Sequence, residues 1–413
     1  MTITEVDTLP TIRFADSDEP WVEHSLEALT AQPISYGVVQ TGEHIEYGIP
    51  CVRVVDLTSD DLDLDTMIRT TTAISESYRR TVLEKDDVMM ALRGEIGLVR
   101  SVPAELVGAN LTRGVARIVA DKRLVEPHFL LWSLQSPPTV SDIGQKVNGS
   151  ALKEIPIGGL REVRIRLPRS KKEQQKIAAF LGAVDRKIQQ LKRKQALLEQ
   201  YKKGVVQQLF SQELRFKREE GSEYPEWEEK RLEDLCEVAR SGGTPLSSVK
   251  EYYDGDIPFL SISDMTEQGK YLTKTRRTVS QAGIDNSSSW IVPANSLIYS
   301  MYASVGFVSI NKIPLATSQA VMNLILKPGI NIDFVYYQLN NLRSTLRKFI
   351  ETGTQGNMTG ESVKSLTLLM PSLEEQTRIA GFLMALDAKV AGVSRAVEAA
   401  QKWKKGLLQQ MFV

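Results

Sequence analysis

Residues able to carry chemistry are scattered in this 413-residue chain. The three histidines, His24, His44 and His128, lie far apart with no cysteine at ligand spacing, so they read as ordinary surface or core side chains rather than metal ligands. Glu228 and Lys230 have the Glu-x-Lys look of a nuclease site, but the surrounding stretch is so charged that chance accounts for it. The sequence contains no GxxxxGK[ST] phosphate loop, no Gly-rich turn after a strand of the dinucleotide or cofactor type, and no Asn/Asp-Pro-Pro-aromatic run of the kind that holds a target adenine. A chain without these sets reads as a binding protein rather than a catalyst.

The elements that must position any binding residues are unusually legible, because the chain makes its longest one twice. Residues 168–212 and 371–413 each hold a helix. At an offset of 202, thirteen residues from Gln174 to Phe210 recur without a gap between Gln376 and Phe412. Among them are Ile177/Ile379, Leu181/Leu383, Asp185/Asp387, Lys202/Lys404 and Gln208/Gln410. A repeat this long governs the architecture. Both copies carry an apolar stripe that steps by four and three. In the first it holds Ile177, Leu181, Val184, Ile188, Leu191 and Leu198; in the second, Ile379, Leu383, Leu386, Val390, Val393 and Val397. A stripe of period 3.5 over ten positions predicts a coiled coil; a helix lying on a globular core would show a wider one. Lys202 and Lys404 interrupt the two seams at equivalent places, where a polar residue sets register or reaches out of the seam.

Composition is that of a globular protein, 42% hydrophobic and 25% charged, and the length suggests two to four domains. Two cysteines, Cys51 and Cys236, suit a reducing compartment without a disulfide framework. The first residues lack the features of a signal peptide, and no apolar run is long enough to span a bilayer. The expectation is a soluble, cytoplasmic protein with no membrane contact. The net charge of zero conceals an asymmetry: residues 1–100 hold 8 Lys/Arg against 19 Asp/Glu, whereas residues 164–218 hold 16 against 4. Such runs are either solvated faces or, around the first helix, a basic rod facing phosphates or an acidic partner.

Outside the helices the same order of elements recurs. Residues 1–20 read as a disordered N-terminal segment. A first head spans 21–167, with a strand at 48–58, a turn at 86–87, two strands around a glycine bend at 93–97, a helix at 126–136 and a polar loop at 144–155. Residues 213–232 form a charged linker, and a second head spans 233–370. There IPFLSISDMT (257–266) answers IPCVRVVDLT (49–58), with Asp264 matching Asp56, and Gly306 matches Gly97. The chain is a tandem duplication of head and helix in which the helices match better than the heads do. That pattern suggests two different ligands read through one frame. The fold class is α+β, two mixed α/β heads joined by two long helices.

These residues bring a family into view. RSGGTPLSSVKEYYDGDIPFLSISDM (240–265), GVVQTGEHIEYGIPCVRVVDL (37–57) and the two helix starts KKEQQKIAAFL (171–181) and LEEQTRIAGFL (373–383) resemble the specificity (S) subunit of type I restriction–modification systems, over nearly the whole chain. The resemblance implies two target-recognition domains, each reading half of a bipartite site in double-stranded DNA. It implies long helices paired as an antiparallel coiled coil that sets the gap. It implies no catalysis in this chain, which would dock two methyltransferase subunits and, in the full complex, two motor-nuclease subunits. S-adenosylmethionine, ATP and Mg would then belong to those partners, with no cofactor here. A helix of about 38 residues is roughly 57 Å long, or about 17 base pairs of B-DNA, which is room for two short sites with unread pairs between.

On that reading, DNA contacts come from the head loops: Arg93, Asn110, Thr112, Arg113, Lys146, Asn148, Ser150 and Lys153 in the first, and Tyr302, Ser318, Gln319, Gln355, Asn357 and Thr359 in the second. Ser241 and Thr244 in the SGGTP turn resemble residues that approach DNA in the family, and Arg276 and Arg277 add phosphate contacts. The first head lacks the Gly-Thr-Pro turn that the second approximates, and its acidity is unusual for a DNA-facing domain. Three other readings stand beside this one: a stand-alone bipartite DNA-binding adaptor, a structural coiled-coil scaffold whose heads bind no DNA, and an enzyme of unfamiliar site.

Overall fold

A computed structural model describes residues 4–6, 9–14, 19–59, 63–149, 152–352 and 357–413. The chain divides into two compact units, residues 1–193 with 394–413, and residues 194–393. Each unit contains one head, part of the first long helix (Lys171–Phe210) and part of the second (Leu373–Met411). In the first unit Lys404 donates to Asp185 at 2.6 Å, and in the second Lys202 pairs with Asp387. As position rises along the first helix from 185 to 202, the partner position falls from 404 to 387, so the helices run antiparallel. The interrupting lysines of both seams thus meet the repeated aspartates.

The seam is buried where the period places it. Ile177, Leu181, Val184 and Ile188 are at most 6% exposed, as are Ile379, Leu383 and Leu386, and Val397 is 7% exposed. Leu191, Leu198, Val390 and Val393 are half-buried. Each fully buried side chain of this size contributes roughly 1.5–3 kcal/mol. In both units the seam is continuous with the core of the head. In the first, Trp21, Phe129 and Phe412 bring their rings within 5.5–6.0 Å; in the second, Phe334 packs on Trp227 and Phe210 at 5.9 and 5.7 Å.

The two heads share one strand order. In the first, one sheet runs Ser35–Tyr36, Val115–Ile118, Val88–Ala91, Val99–Ser101, and a second runs Arg69–Thr70, Ile49–Val52, Asn110–Leu111. In the second head the same orders appear as Cys236–Ser241, Val321–Leu326, Leu297–Ser300, Val308–Asn311, extended by Tyr271–Leu272, and as Arg277–Val279, Tyr253–Leu260, Leu315–Thr317, extended by Ile291–Val292. Val88–Ala91 and Leu297–Ser300 are buried at every residue, which is why neither shows an apolar–polar alternation.

Residues 48–58, expected to be a strand, are half helix: the strand stops at Val52 and a helix covers Val54–Thr58. The Asp56 carboxylate accepts the Arg53 backbone N–H at 2.7 Å, closing the helix start, and Asp264 does the same for Ser261 N–H at 3.0 Å ahead of Ile262–Gln268. Capping outweighs the β-preference of the valines. The helix expected at 126–136 is Pro127–Gln135, and a second, Pro137–Gln145, follows it.

Both long helices begin on one polar scaffold. Gln174 accepts the Glu126 N–H at 2.8 Å and donates to the Pro168 carbonyl at 2.8 Å; Gln376 accepts the Asn331 N–H at 2.9 Å and donates to the Pro371 carbonyl at 2.8 Å. The neighbouring Glu173 and Glu375 side chains are 2% and 0% exposed, and each is met by an arginine fork, from Arg13 and Arg215 respectively. Buried carboxylates require such partners. Arg13 lies in the stretch expected to be disordered and Arg215 in the stretch expected to be a linker. Residues 9–14 are described and anchored through their backbone: Ile12 N–H donates to the Gln410 carbonyl at 3.0 Å, as Leu214 N–H does to Gln208 at 3.0 Å. Phe14 stacks edge-on to Phe180, and Phe216 to Phe382. The repeat therefore begins at Ile12-Arg13-Phe14 and Leu214-Arg215-Phe216. It continues through Trp21/Trp227, Glu23/Glu229, Leu26/Leu232 and Leu29/Leu235.

Candidate nucleic-acid interface

In the second head the candidate loops are drawn together by backbone bonds. Gly242 and Gly243 carry the chain past the strand Leu315–Thr317: a Cβ on Gly242 would stand 2.0 Å from the Thr317 carbonyl oxygen, and one on Gly243 would stand 2.2 Å from Ser288 Oγ. Only glycine fits there. Thr244 then emerges exposed and its hydroxyl donates to Gln319 Oε1 at 2.6 Å. Met301 N–H donates to the Ala320 carbonyl at 2.9 Å, and Met358 N–H to the Met301 carbonyl at 2.9 Å. Thr244, Tyr302, Ser318, Gln319 and Asn357 consequently border one patch. Tyr302 is 40% exposed, Gln319 and Asn357 are exposed and Ser318 is half-buried.

The remaining candidates of this head have other work. Ser241 lends its carbonyl to the Trp290 indole at 3.1 Å. Thr359 caps the helix Gly360–Lys364, accepting the Ser362 N–H at 3.1 Å. Arg276 pairs with Glu267, and Arg277 stacks 5.4 Å above the Tyr253 ring. Both arginines are exposed. Gln355 lies outside the described residues.

The first head repeats this geometry with different side chains. A Cβ on Gly37 would meet the Leu111 carbonyl oxygen at 1.9 Å. Arg113 N–H donates to the Val38 carbonyl at 2.9 Å, Leu92 N–H to Gly114 at 2.8 Å, and Ile155 N–H to Leu92 at 2.9 Å. Arg93 bridges to Glu154. Arg113 therefore stands where Gln319 stands in the other head, Arg93 where Tyr302 stands, and Val39 where Thr244 stands. Arg113 is exposed. Arg93 is half-buried, and its Nε and Nη2 have no hydrogen-bond partner among the described residues. A guanidinium in that state favours an acceptor brought from outside.

Several residues proposed from the first head hold the fold instead. Asn110 is fully buried; its amide donates to Ser75 Oγ at 3.0 Å, and its oxygen accepts from Thr81 Oγ1 at 2.7 Å and Leu111 N–H at 2.8 Å. It is spent on the core and presents nothing to a groove. Thr112 donates to the Val52 carbonyl at 3.1 Å. Lys146 pairs with Asp142 at 3.2 Å. Burial opposes the charge on Asp142, yet the Arg164 N–H, Lys146 and the Arg164 guanidinium hold its carboxyl below the usual range. Asn148 and Lys153 are exposed on the closing loop, and Ser150 lies outside the described residues. Sequence reasoning passed over Arg79 and Arg80, which are exposed beside this patch; the adjacent pair of cations was the available signal.

Comparison with known proteins follows the duplication. Residues 40–200 and 224–395 match the family described as type I restriction modification DNA specificity domain. The chain is 28% identical over 208 residues to the type I restriction enzyme MjaIX specificity subunit of Methanocaldococcus jannaschii, covering 49% of this chain and 48% of that one. It is 31% identical over 152 residues to the EcoBI specificity subunit of Escherichia coli, covering 36% of this chain and 32% of the other. The chain thus spans about half the length of the first relative and a third of the second. A putative MjaX specificity subunit of M. jannaschii aligns over 99% of this chain and 95% of its own at 23% identity. Among solved structures, the S subunit from M. genitalium superposes with a TM-score of 0.60 at 15% identity, over 98% of this chain and 99% of its own. A chain from a study of complex assembly and conformational transition of the type I R-M system gives 0.59 at 18% identity, over 95% and 98%. These two show a shared fold.

Proposed function

The chain belongs to the type I restriction–modification DNA specificity family, and on that premise we propose that it is the DNA-recognition subunit of such a complex. Each head reads one half of an asymmetric bipartite site, and the paired helices hold the spacing. The chain docks two methyltransferase subunits and, in the full complex, two motor-nuclease subunits, in the cytoplasm. It catalyses nothing itself; S-adenosylmethionine, ATP and Mg act in the partners.

The observation that carries this reading is one frame with two sets of tips. Equivalent backbone bonds present Arg93 and Arg113 in one head and Tyr302 and Gln319 in the other. Arginine pairs bidentately with guanine and glutamine with adenine in the major groove, so the heads are suited to different half-sites.

Methylation-aware sequencing of DNA from cells expressing this chain with its neighbouring methyltransferase tests the proposal. The expected result is an asymmetric two-part motif with methyladenine in each half, and exchange of residues 233–370 for another head should change one half only. A soluble complex with an active methyltransferase and no motif would overturn it.

A further inference from the structure

The first head carries a cleft of about 650 Å³ that the DNA reading has not used. Its walls include Tyr36, Tyr78, Arg79, Arg80 and Arg161, with Glu76 the one acid among the described lining residues. Arg79 and Arg80 are exposed and form no side-chain hydrogen bond or ion pair among the described residues. Arg161 is already engaged: it donates from Nη2 to the Ile34 carbonyl at 3.3 Å, and its Nε is ion-paired with Glu27 at 3.7 Å. Among the described lining residues three arginines stand against Glu76, and the two at the turn are the unpaired ones.

The turn bearing the two free arginines is held firmly from beneath. Thr81 Oγ1 donates to the buried Asn110 at 2.7 Å and lies 2.9 Å from the Tyr78 carbonyl, and the buried Arg117 donates to the Arg80 carbonyl at 3.1 Å. A rigid backbone under flexible cations lowers the ordering cost of binding an anion. The cleft also adjoins the candidate readout loops. Tyr36 is two residues from Val38, which receives Arg113, and Ile157 is two residues beyond Ile155, which bonds beside Arg93. Two strand residues span about 7 Å, close to two base-pair steps of duplex.

Among the described residues, the second head has no cation at the positions equivalent to Arg79 and Arg80. The segment after each turn pairs with the same strand: Leu83 N–H bonds the Ala109 carbonyl at the start of Asn110–Leu111, and Val292 pairs with Leu315. The counterpart of Arg79-Arg80-Thr81 is therefore Ser288-Ser289-Trp290, in which the indole donates to the Ser241 carbonyl and Arg240 stacks on its ring at 5.6 Å.

We propose that the Arg79–Arg80 cleft is a phosphodiester-binding subsite, peculiar to the first head, that grips the DNA backbone beside its half-site. This rests on the DNA-recognition reading. Backbone contacts position a protein without reading sequence, so the subsite strengthens binding on matched and random duplex alike. It also gives a head whose sequence is acidic a local pair of free cations with which to engage DNA.

The test is the salt dependence of binding by the full chain to a mixed-sequence duplex of about 40 base pairs, followed by fluorescence anisotropy. Each neutralised phosphate adds about 0.9 to the slope of log K against log salt. The R79Q/R80Q variant should lower that slope by about 1 to 2, leave the methylated motif unchanged, and recover the slope as R79K/R80K. S288A/S289A should not alter it. Salt-dependent binding by the wild type with an unaltered slope in R79Q/R80Q would overturn the subsite alone. No salt-dependent binding by the wild type would overturn both the subsite and the DNA reading. In a second arm ATP is titrated without DNA; saturable binding lost in R79Q/R80Q, with the duplex slope unaltered, would give the cleft to a soluble nucleotide instead.

Discussion

The two heads differ most where they are most alike in backbone. Leu92 N–H to Gly114 and Met301 N–H to Ala320 are bonds of 2.8 and 2.9 Å, and the closing bonds of Ile155 and Met358 are both 2.9 Å. None of these involves a side chain, so the residues beside them can change from Arg93 to Tyr302, or from Arg113 to Gln319, without disturbing the frame. The helix starts are the opposite case. Gln174 and Gln376, Glu173 and Glu375, and Asp185 and Asp387 are identical pairs because each makes a specific polar contact, deeply buried at Gln174, Gln376, Glu173 and Glu375. Side chains that satisfy buried groups cannot drift, whereas side chains that face solvent can. The molecule keeps its scaffold and varies its loop surface for that reason.

Comparing the two buried arginine forks should give the largest effects. Arg13→Ala strands the Glu173 carboxylate, and a loss of roughly 3–5 kcal/mol is expected by chemical denaturation. Arg215→Ala should lose less, because Glu375 keeps the Trp227 indole N–H at 3.0 Å. Equal losses would mean that the indole contributes nothing.

Next in size is the exchange of Arg113 and Gln319, the proposed readout residues. Arg113→Gln and Gln319→Arg should each alter base preference at one position of one half-site, from guanine toward adenine and the reverse. The discrimination is worth about 1–3 kcal/mol and is read from the methylated motif. A motif unaltered by both substitutions would remove these positions from base readout.

The smallest effect should come from the reciprocal ion pairs of the seam. Lys404 and Asp185 are 20% and 31% exposed, Lys202 and Asp387 32% and 33%. Double-mutant cycles should give about 0.2–1 kcal/mol for each pair. Lys404 also lies 4.6 Å from the Trp132 ring and Lys202 6.0 Å from that of Tyr337, so the pair in the first unit should be the stronger.

How far the molecule could be read in advance differed from element to element. The seam from Ile177 to Leu198 and its copy from Ile379 to Val397 were legible because a period of 3.5 and a repeat at one offset report independently on one structure. The matched positions Asp56/Asp264 and Gly97/Gly306 were legible too, and both pairs have matching roles: a helix cap, and a positive-φ bend at +84° and +76°. Residues 48–58 were misjudged because valines favour a strand locally while one aspartate three residues along closes a helix. Arg13 escaped notice because its partner is 160 residues away, and the three-residue likeness of Ile12-Arg13-Phe14 to Leu214-Arg215-Phe216 is too short to stand out alone.

The sequence by itself determined the duplication, the antiparallel-capable helices, the recurrence of matched segments in the two heads and the family, since all of these rest on periodicity and on likeness along the chain. Tertiary structure alone decided which polar residues are available. Asn110 and Arg113 lie three residues apart and look equally suited to a groove, yet one is fully buried among Ser75, Thr81 and Leu111 while the other is exposed. Arg79 and Arg80 likewise became a site only when folding placed them with Tyr36 and Arg161 around one cleft. Burial and convergence depend on residues distant in the chain, and no local pattern encodes the distance between them.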